Sequence, residues 1–145
     1  MKYIIVITLV ALASVGCGTQ QASINGVVLS TSKGHYLPYS NDGKPTGGWK
    51  PSRAMIKHAQ PVILRYIEDT NKEIFEKLDQ YRCQYFGIIV DGKKRIHCNC
   101  FFLTEDKENW RTTPIVVDDG GNWYFQLEYD VETEKCINFA VNGES

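Results

Sequence analysis

The chain has 145 residues, with 16 Lys and Arg against 17 Asp and Glu, a formal net charge of −1, and 43% hydrophobic residues. That length suits one domain with a core of its own. Near-neutral charge without a basic block argues against nucleic acid as a partner, because phosphate neutralisation needs clustered cations.

The chain starts MKYIIVITLVALASVGC, in which Lys2 is the only charge and the stretch from Tyr3 to Ala13 carries none. This run is too short to cross a bilayer as a mature helix and reads as the apolar region of a secretory signal. No later segment has the length or polarity to span. The end of the run, SVGC, resembles the lipobox of bacterial lipoproteins, with Gly16 before the cleavage point and Ser14 where the motif usually carries leucine. The resemblance implies a signal peptide over 1–16 and a lipid on Cys17. It also implies a domain outside the cytoplasm, tied to a membrane of the bacterial cell envelope by its lipid.

Residues 17–48 read as the lipidated cysteine, a small-residue tether and a loop rich in Gly and Pro. Within them, INGVVLS has the composition of a short strand, and TSKGHYLPYSNDGKPTGG is turn chemistry throughout. Tyr36, Tyr39 and Trp49 give this loop anchors, so it is expected to lie partly against the domain. A single domain over 49–145 follows. Pro51 and Ser52 open a helix, which Pro61 is expected to kink or restart because it cannot donate to the Lys57 carbonyl. Beyond it Ile63, Ile67, Ile74 and Leu78 form an apolar stripe, while Arg65, Glu68, Lys72, Glu76 and Asp79 form a solvated face. Asp69 to Asn71 is expected to loosen the middle.

From Tyr81 the period changes to two. YRCQYFGIIV and RIHCNCFFL flank Asp91-Gly92, a strong hairpin signal. TPIVV reads as a further strand and DDGGN as a turn. WYFQLEYDV then alternates, placing Trp123, Phe125, Leu127 and Tyr129 on one face and Tyr124, Gln126, Glu128 and Asp130 on the other. Ile137, Phe139 and Val141 repeat the pattern. The expected fold is α+β: a kinked helix packed on one face of a four- to five-stranded antiparallel sheet. This order of elements resembles the cystatin-like and NTF2-like arrangements, and the domain resembles the small exported lipoproteins of Gram-negative bacteria.

The densest chemistry lies in RIHCNCFF. If Asp91-Gly92 is a two-residue turn, Val90 pairs with Lys93, which puts Cys83 opposite Cys100 and Tyr85 opposite Cys98. Residues two apart share a face, so Cys83, Cys98 and Cys100 face one way while His97 and Asn99 face the other. Three readings follow: buried free thiols in the core face, a Cys83–Cys100 disulfide, or a thiolate metal site that needs a further ligand. Strand parity counts against the metal site, and neither metal nor cofactor is expected. Cys136 falls on the polar parity of its strand, so a second disulfide is not indicated.

No phosphate loop or nucleophile elbow is present, and no catalytic residue is indicated. His35 and His58 read as surface histidines. The acids Glu105, Asp106, Glu108, Asp118 and Asp119 lack the ligand spacing of a calcium loop. Tyr124, Gln126 and Glu128 are the candidates for an exposed binding face. The whole reads as a lipid-anchored binding or interaction module for a protein or small molecule, with a homodimer through the open sheet face or an edge strand as a natural assembly. A small enzyme, an inhibitor of an exported enzyme and a structural envelope lipoprotein are the alternatives.

Overall fold

A computed structural model describes residues 23–31, 36–104 and 109–143. The expected signal peptide, Cys17, His35 and the Glu105, Asp106 and Glu108 cluster lie outside the described residues. The elements in chain order are β1 (Asn25–Leu29), β2 (Gly47–Trp49), α1 (Arg53–Thr70), a short α2 (Lys72–Phe75), a 3₁₀ turn (Leu78–Gln80), β3 (Tyr81–Val90), β4 (Lys93–Phe102), a second 3₁₀ turn (Gly121–Trp123), β5 (Tyr124–Asp130) and β6 (Lys135–Val141).

Helix α1 starts where Ser52 caps it, its hydroxyl accepting from the Met55 amide at 3.2 Å. It then runs unbroken through Pro61, against the expected kink or restart. Both Pro61 and Lys57 face solvent, so water can take the carbonyl bond that the proline cannot supply. The helix ends at Asn71, whose side chain accepts from Ile74 N and caps α2. Ile56, Ala59, Ile63, Leu64 and Ile67 are buried, and Ile74 and Leu78 extend the same apolar stripe.

The α+β class with its helix-covered sheet stands, but the sheet is mixed and six-stranded, not purely antiparallel with four or five strands. Its order is β1-β3-β4-β5-β6, with β2 sharing the β3 edge. β1 lies parallel to Arg82–Phe86, and β2 lies antiparallel to Gly87–Ile89. The parallel strand arises because α1 carries the chain back across the sheet between β1 and β3. Asp91 and Gly92 both take positive φ, 51° and 76°, which makes a type I′ turn. That turn sets the expected register, with Cys83 facing Cys100 and Tyr85 facing Cys98.

TPIVV is not a strand; its backbone is held by side chains. Gln84 donates to the Thr113 carbonyl at 2.7 Å and accepts from Ile115 N at 2.9 Å, and Asn99 donates to the Ile115 carbonyl at 2.8 Å. DDGGN likewise leads into a 3₁₀ turn and does not close a hairpin between two strands. Trp123 sits in that turn, 58% exposed and stacked on Phe102, so it leaves the core face expected for it. Phe125, Leu127 and Tyr129 are buried on the helix side as expected.

A bulge breaks β6. Gln126 pairs with Ala140 but Glu128 pairs with Ile137, which leaves one extra residue in β6. Asn138 takes a φ of 59° there, a left-handed conformation that asparagine tolerates. Parity therefore inverts across the bulge. Cys136 pairs with Tyr129 and packs against the helix-side core, contrary to the polar parity read from strict alternation.

Candidate functional site

Among the described residues three groups of polar or reactive side chains stand out, and one of them lines an open cleft. The first is the thiols. Cys83, Cys98 and Cys100 are fully buried beneath the helix, and Cys136 is partly buried beside them. The Cys83 and Cys100 sulfurs are 3.0 Å apart, two thiols in contact. Burial pushes all four thiols up, that of Cys136 to about 12. They are poor nucleophiles at neutral pH. Among the described residues no group of three or more His, Cys, Asp or Glu is placed to hold a metal ion.

The second group lies on the opposite sheet face, which loop residues cover. Arg95 Nη1 is 2.8 Å from Glu128 Oε2 and 2.8 Å from Asp42 Oδ2. The bulge aims Asn138 into the same cluster, where its amide donates to Glu128 Oε2 at 3.2 Å and to Asp42. His97 Nδ1 lies 3.9 Å from Glu128 Oε1, and neither ring nitrogen of His97 makes a hydrogen bond. Burial pushes the Glu128 carboxyl up, but the nearby His97 ring and the Arg95 guanidinium outweigh it and hold it below its ordinary value. Glu128 is therefore no part of an exposed binding face, being 2% exposed, while Tyr124 and Gln126 are half-buried. Loop residues thus bury much of the sheet face that was expected to be open. His58 is at the surface, 2.8 Å from Glu134.

The third group lines a cleft of about 920 Å³ between β1 and the start of α1. Its walls are β1, the segment Lys50–Arg53, Ile56 and Gln60 of α1, and Arg111 from the loop on the far face. Gly26 shapes its floor. A Cβ at Gly26 would lie 2.4 Å from the Tyr85 ring, so only glycine lets Tyr85 reach over the edge strand. The Tyr85 side chain is 1% exposed, yet its hydroxyl has no hydrogen-bond partner. Burial first, then the neighbouring thiols of Cys83, Cys98 and Cys100, raise this phenol well above its ordinary range, so it stays a neutral donor.

The charge around the cleft has one sign. Lys50, Arg53 and Arg111 line it, and among the described residues no carboxylate does. Arg111 is steadied by its guanidinium lying 4.7 Å over the Trp110 ring. Helix α1 points its N-terminus here with no acid in its first turn. Ser52 satisfies Met55 N and Ile56 N, leaving the Arg53 and Ala54 amides unpaired by protein among the described residues. Strand-by-strand reading could not find this cleft, since it joins four segments distant in sequence. The one local signal was a capping serine followed by arginine with no acid behind it.

No family model, curated protein or solved structure matches the chain. The likeness to cystatin-like and NTF2-like arrangements therefore rests on the order of helix and strands alone.

Proposed function

We propose that the chain is a lipid-anchored binding module of the cell envelope, with its ligand seated in the cleft between β1 and the start of α1. The observation that carries this reading is the cleft itself. Its volume falls within the range of about 300–1,000 Å³ common to small-molecule sites. It combines apolar wall from Ile24, Val28 and Ile56 with a few polar groups, the usual division between affinity and orientation. The anchoring half of the reading rests on the lipobox-like SVGC and the signal ahead of it.

Two measurements test the two halves. Membrane fractionation of cells expressing the full chain should find it with the envelope, and Cys17→Ser should release it. A chain that stays membrane-bound after that change, or never leaves the cytoplasm, contradicts the anchor. For the cleft, a small-molecule library is screened against the full chain in neutral detergent by thermal shift. Asn25→Trp adds bulk at an exposed position of the wall and should abolish the hits. Hits that survive Asn25→Trp place the ligand elsewhere.

A further inference from the structure

We propose that the cleft holds a phosphate group, as a monoester or diester, against Lys50, Arg53 with its open amide, Arg111 and Tyr85. This rests on the cleft being the ligand site and names the ligand's chemistry.

Three independent features converge. The first is an inverted helix end. A helix N-terminus carries partial positive charge and favours acidic side chains, yet α1 has none in its first turn and opens with Arg53, three residues after Lys50. Neither cation has an ion pair among the described residues. The arrangement repels itself unless an anion sits in it, and local rules broken this way concentrate at functional sites.

The second is Tyr85. A buried hydroxyl without a partner is rare and costly, and Tyr85, which carries this one, is a lining residue of the cleft. Gly26 is what permits that position. The third is the donor inventory. The cleft is lined by two guanidinium groups, one ammonium, the residue that carries the open Arg53 amide, and the side chains of Ser23, Asn25, Ser52 and Tyr85, so donors predominate and its only full charges are positive among the described residues. Gln60 Nε2 already donates to the Ile24 carbonyl at 3.2 Å, which leaves its Oε1 as an acceptor beside Tyr85. Such a set exceeds what a single carboxylate can accept and fits the several oxygens and the charge of a phosphate.

Phosphate could reach the cleft on a soluble compound or on the headgroup of a lipid in the anchoring membrane. The experiment separates these. Full-length protein in neutral detergent is melted with inorganic phosphate and with phenyl phosphate. The same protein is melted on phosphatidylcholine vesicles with and without phosphatidylglycerol. A soluble source predicts a rise in melting temperature in the first arm, and a headgroup source predicts it in the second. Either rise must vanish in Arg53→Gln/Arg111→Gln, two exposed positions whose change leaves the core intact. That control removes the general stabilisation that phosphate salts give any fold. Each single change should weaken binding by roughly tenfold, the scale of one charge-assisted hydrogen bond.

The unliganded protein supplies a second readout. Tyr85→Phe removes an unpaired buried hydroxyl and Arg53→Gln removes a repelling cation, so both should leave the melting temperature of the free protein unchanged or higher. Both should also lose the phosphate-dependent rise. No rise in either arm overturns the proposal. So does a rise that survives the double variant, or a Tyr85→Phe protein that melts lower without ligand. If neutral library compounds bind and are lost in Asn25→Trp while phosphate does nothing, the cleft remains the ligand site and only its phosphate chemistry falls.

Discussion

The two faces of the sheet are both buried, and they are built from opposite materials. Under α1 the face is apolar: Tyr81, Cys83, Tyr85, Ile96, Cys98, Cys100, Phe125 and Leu127. Under the loops it mixes Phe86, Ile88 and Phe101 with Gln84, Arg95, His97, Asn99 and Glu128, all buried. The cover explains the difference. A helix satisfies its own backbone, so the surface beneath it needs no polar group. An irregular loop brings unpaired amides and carbonyls, and the sheet must meet them. Gln84 and Asn99 do this for residues 113–115, while Arg95 holds the loop at Ser40 and Asp42.

The largest break in this contrast should come from Glu128→Ala. It leaves the Arg95 guanidinium buried beside a half-exposed Asp42, and breaking one partner of a buried pair costs about 3–5 kcal/mol. Urea unfolding measures it. Asp42→Ala, at the solvent-facing end of the same network, should cost about 1 kcal/mol or less. Equal losses from the two changes would show that the network is solvated throughout.

On the helix face the corresponding lever is oxidation. Leu103 N bonds to the Gln80 carbonyl and Val131 N to the Lys94 carbonyl, which fixes which β4 residues bond towards β3. Cys83 and Cys100 thereby form a non-hydrogen-bonded pair, the closer kind. A mild oxidant should join them, giving a mass two hydrogens lighter and up to about 3 kcal/mol of added stability. A mixed pairing with Cys98 in peptide mapping would contradict the register.

A smaller effect separates the faces by pH. On the loop face Glu128, Asp42 and Asp130 have pKa values lowered on folding: burial opposes the shift, and hydrogen bonds and cations outweigh it. Their contribution is complete above the ordinary carboxylate values and lost as pH falls through the folded ones, so acid should unfasten the loops first. On the helix face burial raises the four thiols. Their contribution is complete below pH 9.0 and is lost as pH climbs towards the folded values, about 12 for Cys136. Tyr36 on the loop face is also raised by burial, so the basic limb belongs mainly, not wholly, to the helix side. Glu128→Gln should flatten the acid limb of stability and Cys136→Ser the basic one.

These faces also mark what a sequence can reveal. The hairpin register was readable from Asp91-Gly92 because a two-residue turn leaves one pairing for twenty residues around it. The helix stripe was readable because burial against one sheet imposes its period. The second face was not. Alternation shows that Gln84, Asn99 and Glu128 point away from the helix, but a polar residue facing water and one facing loop backbone look alike. The direction of β1 was hidden for another reason, since pairing between residues 57 apart, as Asn25 with Arg82, leaves no local trace. The cleft was hidden with it, because β1 is one of its walls.

The bulge in β6 is where periodicity misled outright, and it offers the smallest and sharpest test. Removing one residue from a strand normally turns every later side chain to the wrong face. Here Asn138 is the surplus residue. Deleting it leaves Ala140 on Gln126, Ile137 on Glu128 and Cys136 on Tyr129, and sets Phe139 opposite Leu127 in plain alternation. The deletion loses the amide's bonds to Glu128 and Asp42, together worth about 2 kcal/mol, and relieves a left-handed non-glycine residue worth about 1 kcal/mol. The net change in stability should lie within about 1 kcal/mol by urea unfolding, with Cys136 as slow to alkylate as before. Had strict alternation of Ile137, Phe139 and Val141 governed the strand, the same deletion would turn Cys136 and Ile137 over and collapse the fold. A deletion variant that fails to fold while Asn138→Gly folds normally would restore that simpler strand and move Cys136 off the helix face.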